Sequence, residues 1–187
     1  MASGYAKRIG HKYLKNLLDK ISPNEALGIL KLLAKTDKQI KKKILDIAEH
    51  MIKGIEYDSI CDDVFWALDA IDVKELWNSS GSTTDGYIST DEMAFEMIEK
   101  ELEPFRKEIF RLLELGMSQE AKLYCMRVLK GIYIYEHDSN SEFKDWATDI
   151  PGECFWDLLD KWEKRSKNKS DIKEMNEFLM KECENFI

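Results

Sequence analysis

The sequence predicts an all-α protein of antiparallel helix pairs, a helical-repeat-like bundle of two related halves. Three observations carry that prediction. Glycine and proline are scarce, nine and three among 187 residues, whereas sheet-rich and nucleotide-binding folds spend more glycine on turns. Apolar residues recur at helical spacing along the segments. The breaks between segments carry helix caps and stops, with short connections that leave neighbours antiparallel.

A first helix is expected over Tyr5 to Asp19. Ser22-Pro23-Asn24-Glu25 opens the next as a capping box, with Pro23 where its missing N–H costs nothing. Ala26, Leu27, Leu30, Leu33 and Ala34 follow on one face. Thr36-Asp37 restarts the chain, and Ile40, Ile44, Ile47, Ala48, Met51 and Ile55 form the next stripe. A helix from Asp58 to Ile71 carries Phe65, Trp66 and Leu68, and Asp72 caps a short segment ending near Trp77. Residues 78–89 are polar, hold two glycines and have no period. They divide the chain into an N-terminal half (1–78), a linker (79–89) and a C-terminal half (90–187) within one compact domain.

Ser89-Thr90-Asp91-Glu92 is a second capping box. The long stripe after it runs from Ile98 to Leu113, and Pro104 is expected to kink or restart that helix. Gly116 is a stop and Ser118 a new cap, ahead of a helix with Ala121, Cys125, Val128, Leu129 and Ile132. Residues 136–152 are acidic, with one helical turn expected around Phe143 and Trp146. Pro151 opens a helix with Phe155, Trp156, Leu158, Leu159 and Trp162. Asp171 and Glu174 are expected to cap a last one.

The halves look related. Ile29-Leu30-Lys31-Leu32-Leu33 aligns with Ile109-Phe110-Arg111-Leu112-Leu113, and Phe65-Trp66-x-Leu68 with Phe155-Trp156-x-Leu158. Trp66 and Trp156 are therefore expected in corresponding, mostly buried places. Both an open solenoid and a compact pseudo-twofold bundle fit such a duplication. The order of pieces, Ser22 to Ala48, Met93 to Ile132 and the acidic Glu136-His137-Asp138-Ser139-Asn140 loop, resembles the helical region that follows the zinc finger in prokaryotic SWIM zinc-finger proteins. The resemblance implies a tetratricopeptide-like repeat scaffold and nothing more. The CxC…CxH finger is absent, so no zinc or DNA role follows from it.

Composition and motifs exclude most chemistries. Cys61, Cys125, Cys154 and Cys183 form no CxxC pair and read as reduced, buried small apolar residues. With no secretory h-region and no membrane-length apolar run, the expected location is cytoplasmic. No phosphate loop, dinucleotide turn, nucleophile elbow or zincin helix occurs. No ExxH stands before His11, His50 or His137, which removes the usual di-iron carboxylate site. His50 with Asp46 one turn back is the one candidate for an oriented base, and no nucleophile accompanies it. Asp138-Ser139-Asn140-Ser141-Glu142 begins like a calcium loop, but Phe143 replaces the turn glycine and Asp149 the closing Glu. The expectation is a protein with no enzymatic activity, no metal and no cofactor.

Charge is uneven. The net value is −8, yet residues 1–53 hold twelve Lys/Arg against five acids. The function expected is a non-catalytic helical scaffold or protein-interaction module whose partner is another protein, a basic one. Tyr133, Tyr135, Phe143 and Trp146 beside Asp138 and Asp145 form the expected contact surface. The alternative is a nucleic-acid-associated protein using Lys38, Lys41, Lys42 and Lys43. That patch has no interleaved aromatics and no Arg for base edges, so protein ranks first. No membrane partner is expected.

Overall fold

Ser22 opens the first helix of the computed structural model by the reciprocal capping that the sequence predicts. Its Oγ accepts from Glu25 N at 3.3 Å, and its own N–H donates to Glu25 Oε2 at 2.8 Å. The structure describes residues 19–53, 57–83 and 86–184, so the helix expected over Tyr5 to Asp19 lies, Asp19 apart, outside the described residues. The fold is all-α, with eight α-helices among the described residues. The chain divides into two compact units, residues 1–55 and 56–187.

The first unit holds α1 (Pro23–Thr36) and α2 (Lys38–Lys53), packed as a pair. Asp37 ends one and starts the other. Its N–H donates to Leu33 O at 3.1 Å, and its Oδ1 accepts from Gln39 N at 2.7 Å and Ile40 N at 3.2 Å.

The second unit holds α3 (Tyr57–Asp69), α4 (Val73–Ser79), a hairpin of β1 (Gly81–Thr83) and β2 (Gly86–Ile88), α5 (Thr90–Glu114), α6 (Ser118–Asp138), a 3-10 turn (Glu142–Trp146), α7 (Ile150–Arg165) and α8 (Lys169–Glu182). Its centre is α6, which touches α3, α5, α7 and α8. Ala121, Cys125, Val128, Leu129, Ile132 and Tyr135 are all inaccessible, as befits a helix enclosed on several sides. Gly131 lets α3 approach. A Cβ there would lie 2.6 Å from Val64 Cβ and 2.7 Å from the Cys61 carbonyl oxygen. Gly131→Ala is expected to destabilise by about 1–3 kcal/mol through overpacking. Alanine's better helix propensity, about 1 kcal/mol, pulls that toward the lower end. Urea denaturation measures it, and unchanged stability would show that the α3–α6 spacing yields freely.

Several expectations are corrected. The division lies after Ile55, so residues 79–89 sit inside the second unit, where part of them pairs antiparallel as Gly81↔Ile88, Ser82↔Tyr87 and Thr83↔Gly86. Gly81 and Gly86 supply the positive φ, 99° and 144°. Pro104 is exposed and α5 runs unbroken through it. A Schellman motif ends that helix: Gly116 has φ 76°, and Met117 N donates to Leu112 O at 3.0 Å. Asn168, not Asp171, caps α8, accepting from Ser170 N at 3.0 Å.

Trp66 and Trp156 are not buried; they are 64% and 44% exposed. In both Phe-Trp pairs the phenylalanine turns inward and meets its tryptophan edge-on, at 5.1 and 5.6 Å between centroids. The aligned pentapeptides also differ in use. Ile109 and Leu112 are inaccessible on α5, while their counterparts Ile29 and Leu32 are exposed on α1.

Candidate functional site

Adjacent residues on an α-helix point about 100° apart, and two helices of the second unit use this to turn an aromatic ring outward beside a core residue; a 3-10 turn leaves a third ring exposed. On α4, which Asp72 caps by accepting from Lys74 N at 2.8 Å, Leu76 is inaccessible and Trp77 exposed. On the first turns of α5, Ala94 is inaccessible and Phe95 exposed. On the 3-10 turn, Phe143 enters the core and Trp146 remains 39% exposed. Trp77 and Trp146 meet edge-to-face, 4.5 Å between centroids at 77°.

Phe95, Trp146 and Ile150 form the apolar part of a cleft of about 580 Å³. Its remaining lining is Thr148 and five carboxylates: Asp91, Glu92, Asp145, Asp149 and Glu153. No basic side chain lines it, and none of the five carboxylates has an ion pair among the described residues. Asp91, Glu92 and Glu153 stand in the first turns of α5 and α7, where a carboxylate supports its own helix by about 0.3–1 kcal/mol. Each of those two helix starts contributes roughly half a positive charge. That leaves the five carboxylates mostly uncompensated. The cleft can hold a cation against an aromatic face and accept bidentate guanidinium bonds. No histidine or cysteine lines it.

Of the residues predicted for the contact surface, Trp146 and Asp145 are in this cleft. Tyr135 and Phe143 are corrected: both are inaccessible and belong to the core. Burial pushes the Tyr135 phenol far above its ordinary range, with Asp69 and Glu136 adding to the shift. Tyr133 is half-buried elsewhere, stacked 4.1 Å from His137, with its hydroxyl donating to Glu184 O at 3.1 Å. Asp138 is exposed at the end of α6 and does not line the cleft. The sequence reading missed Phe95, Trp77, Asp91 and Glu92. The last two were legible only as caps, and the rings gave no signal of the direction they face.

The remaining candidates carry less. In the calcium-like stretch, Ser139 is buried and donates to Asp69 Oδ1, and its Oγ accepts from Ser141 N at 3.0 Å. Glu136 beside it is raised by burial. Among the described residues no three His, Cys, Asp or Glu side chains group to hold a metal. The four cysteines are free and buried. Burial pushes the Cys154 thiol up to about 12 and Cys183 up to about 11, which leaves both unreactive thiols at neutral pH. Asp46 and His50 are both exposed on α2. Lys38, Lys41, Lys42 and Lys43 are also exposed there, but three consecutive residues fan out over roughly 200° of a helix, so they make no single stripe. Among the described residues, no helix is long and apolar enough to cross a membrane. No family model, curated protein or solved structure matches this chain.

Proposed function

We propose that this chain is a non-catalytic helical interaction module that binds a basic segment of another protein in the acid-rimmed cleft. The observation that carries the reading is the pairing of exposed Trp146 and Phe95 with five carboxylates that have no ion pair among the described residues. Aromatic anchors with a charged rim are what a short Arg-bearing segment needs: a ring face for the guanidinium plane and oxygens at its edge. The packed helix pairs support a tetratricopeptide-like scaffold role of the kind the SWIM-associated resemblance implies. Four free thiols support a reducing, cytoplasmic setting.

The test is calorimetric titration with a short peptide of arginine and leucine. Trp146→Ala is expected to weaken binding by about 2 kcal/mol or more, as an anchor does. Asp145→Asn with Asp149→Asn is expected to weaken it further and to flatten its salt dependence. If neither set of substitutions changes the affinity, the cleft is not the site.

A further inference from the structure

The first unit carries a different surface. No residue of α1 is buried. Ile29, Leu32 and Leu33, spaced i, i+3 and i+4, form a stripe along it, 46%, 62% and 37% exposed. On α2, Leu45 and Ile47 are also exposed. A pair of helices of 14 and 16 residues is marginal when its apolar faces stay in water, since helices of this length draw most of their stability from packing.

Charge indicates what covers the stripe. Lys35 lies three residues beyond Leu32 and borders it, and Lys43 lies one turn before Ile47. Lys31, Lys35, Lys38, Lys41, Lys42 and Lys43 have no ion pair among the described residues. Of the nearby acids, Glu25 is engaged in its capping box and Asp37 at the start of α2, which among the described residues leaves exposed Asp46 as a single carboxylate among these lysines. A second copy docked stripe to stripe would bring lysines against lysines. Nucleic acid would leave the leucines in water. A lipid surface is usually met with interfacial Trp or Tyr anchors, and this stripe is wholly aliphatic.

We propose that the Ile29–Leu32–Leu33 stripe, with its flanking lysines, docks an acidic amphipathic helix of a partner protein. The mode is helix-in-groove: leucines of the partner interdigitate with the stripe, and glutamates on its flanks reach Lys35 and Lys43. This surface takes a partner of opposite charge to that of the cleft, and neither proposal depends on the other.

The probe is a helical peptide with leucine at i, i+3, i+4 and i+7 and glutamate elsewhere, and a control in which lysine replaces the glutamate. Amide hydrogen exchange is followed over α1 and α2 of the full chain. At peptide ten times above its Kd, the leucine–glutamate helix is expected to slow exchange there about tenfold, by mass action on the docked form. The leucine–lysine control is expected to leave it unchanged. Leu32→Glu, and separately Lys35→Glu with Lys43→Glu, are expected to abolish the protection at the same peptide concentration. Trp146→Ala is expected to retain it. Leu32 is the most exposed of the three, so its variant should keep the melting temperature, which separates lost docking from lost folding.

Equal protection by both peptides overturns the proposal, as does protection by neither. Protection by phosphatidylglycerol vesicles or duplex DNA in place of the acidic helix assigns the surface to those ligands instead. Concentration-dependent dimerisation that Leu32→Glu abolishes makes it a self-association face.

Discussion

Lys122→Ala is expected to destabilise the second unit by about 3–5 kcal/mol, because it strands a buried carboxylate. The Lys122 side chain is 2% exposed and that of Asp171 1%, and they meet at 2.9 Å. Gln119 Nε2 donates to the same Asp171 oxygen at 2.7 Å, and Glu174 ion-pairs with Lys122 from the solvent side. The contacts tie α6 to α8 across a sequence separation of about fifty residues. A double replacement, Lys122→Met with Asp171→Leu, is expected to recover most of the loss, since it removes both charges rather than one. Urea denaturation of the three proteins decides. If the double replacement is no better than the single one, the loss comes from packing and not from the orphaned charge.

The same pair sets a pH signature. Burial pushes the Asp171 carboxyl up, but hydrogen bonds from Lys122 and Gln119 outweigh it and hold it below its ordinary value. A lowered carboxylate contributes stability that is present above its unfolded-state pKa and lost as pH falls through the folded-state one. Burial lowers Lys122, and its bonds to Glu174 and Asp171 reverse this and raise it. Its contribution is therefore complete below the ordinary lysine range and fades only in strong alkali. In Lys122→Ala the burial remains without the partner, so the Asp171 carboxyl rises and its protonation relieves the variant in mild acid. The stability gap between wild type and Lys122→Ala should be flat through neutral pH and narrow toward pH 4, about the ordinary carboxylate range.

This pair also marks where sequence reading stops. Asp171-x-x-Glu174 has the form of a helix start, and local chemistry alone assigns it to capping. The cap is Asn168, three residues earlier, and Asp171 is instead drawn inward by a lysine forty-nine residues away. Nothing local reveals a partner at that distance. Local signals hold in part: Pro104 leaves α5 unbroken and Ser118 makes no side-chain cap, while others stand. The Ser22–Glu25 box, the Asp37 junction, the Gly116 stop and the Pro151 start are each fixed by a few neighbouring atoms. The domain boundary fails for the opposite reason. Residues 78–89 are polar and rich in turn formers, yet α3 before them packs on α6 after them, so the contacts bridge the apparent linker.

The site was legible in composition and not in direction. An acidic stretch with aromatics between Glu136 and Gly152 is plain in the sequence. Which ring faces out is not, because Phe143 and Trp146 lie on a five-residue 3-10 turn too short to display a period. Phe95 and Trp77 lie on helices whose apolar stripes already satisfy the core through Ala94 and Leu76. They read as surplus core until the cleft gives Phe95 a place and Trp146 gives Trp77 a partner.

Phe143→Ala and Trp146→Ala, three residues apart, are expected to behave oppositely. Phe143 is inaccessible, so its truncation leaves a cavity and is expected to cost about 3–5 kcal/mol. It is not expected to weaken the arginine–leucine peptide beyond what loss of folded protein explains. Trp146 keeps more than a third of its surface in water and contacts Trp77 edge-on. Its truncation forfeits that contact, about 0.5–1.5 kcal/mol beyond simple area, and removes the wall of the cleft. The melting curve and the titration thus separate the two residues: Phe143→Ala lowers the first sharply and spares the second, and Trp146→Ala lowers the first less and weakens the second. If Trp146→Ala lowers the melting temperature as much as Phe143→Ala does, the tryptophan pair is a lid on the core, and the cleft loses the anchor on which the binding proposal rests.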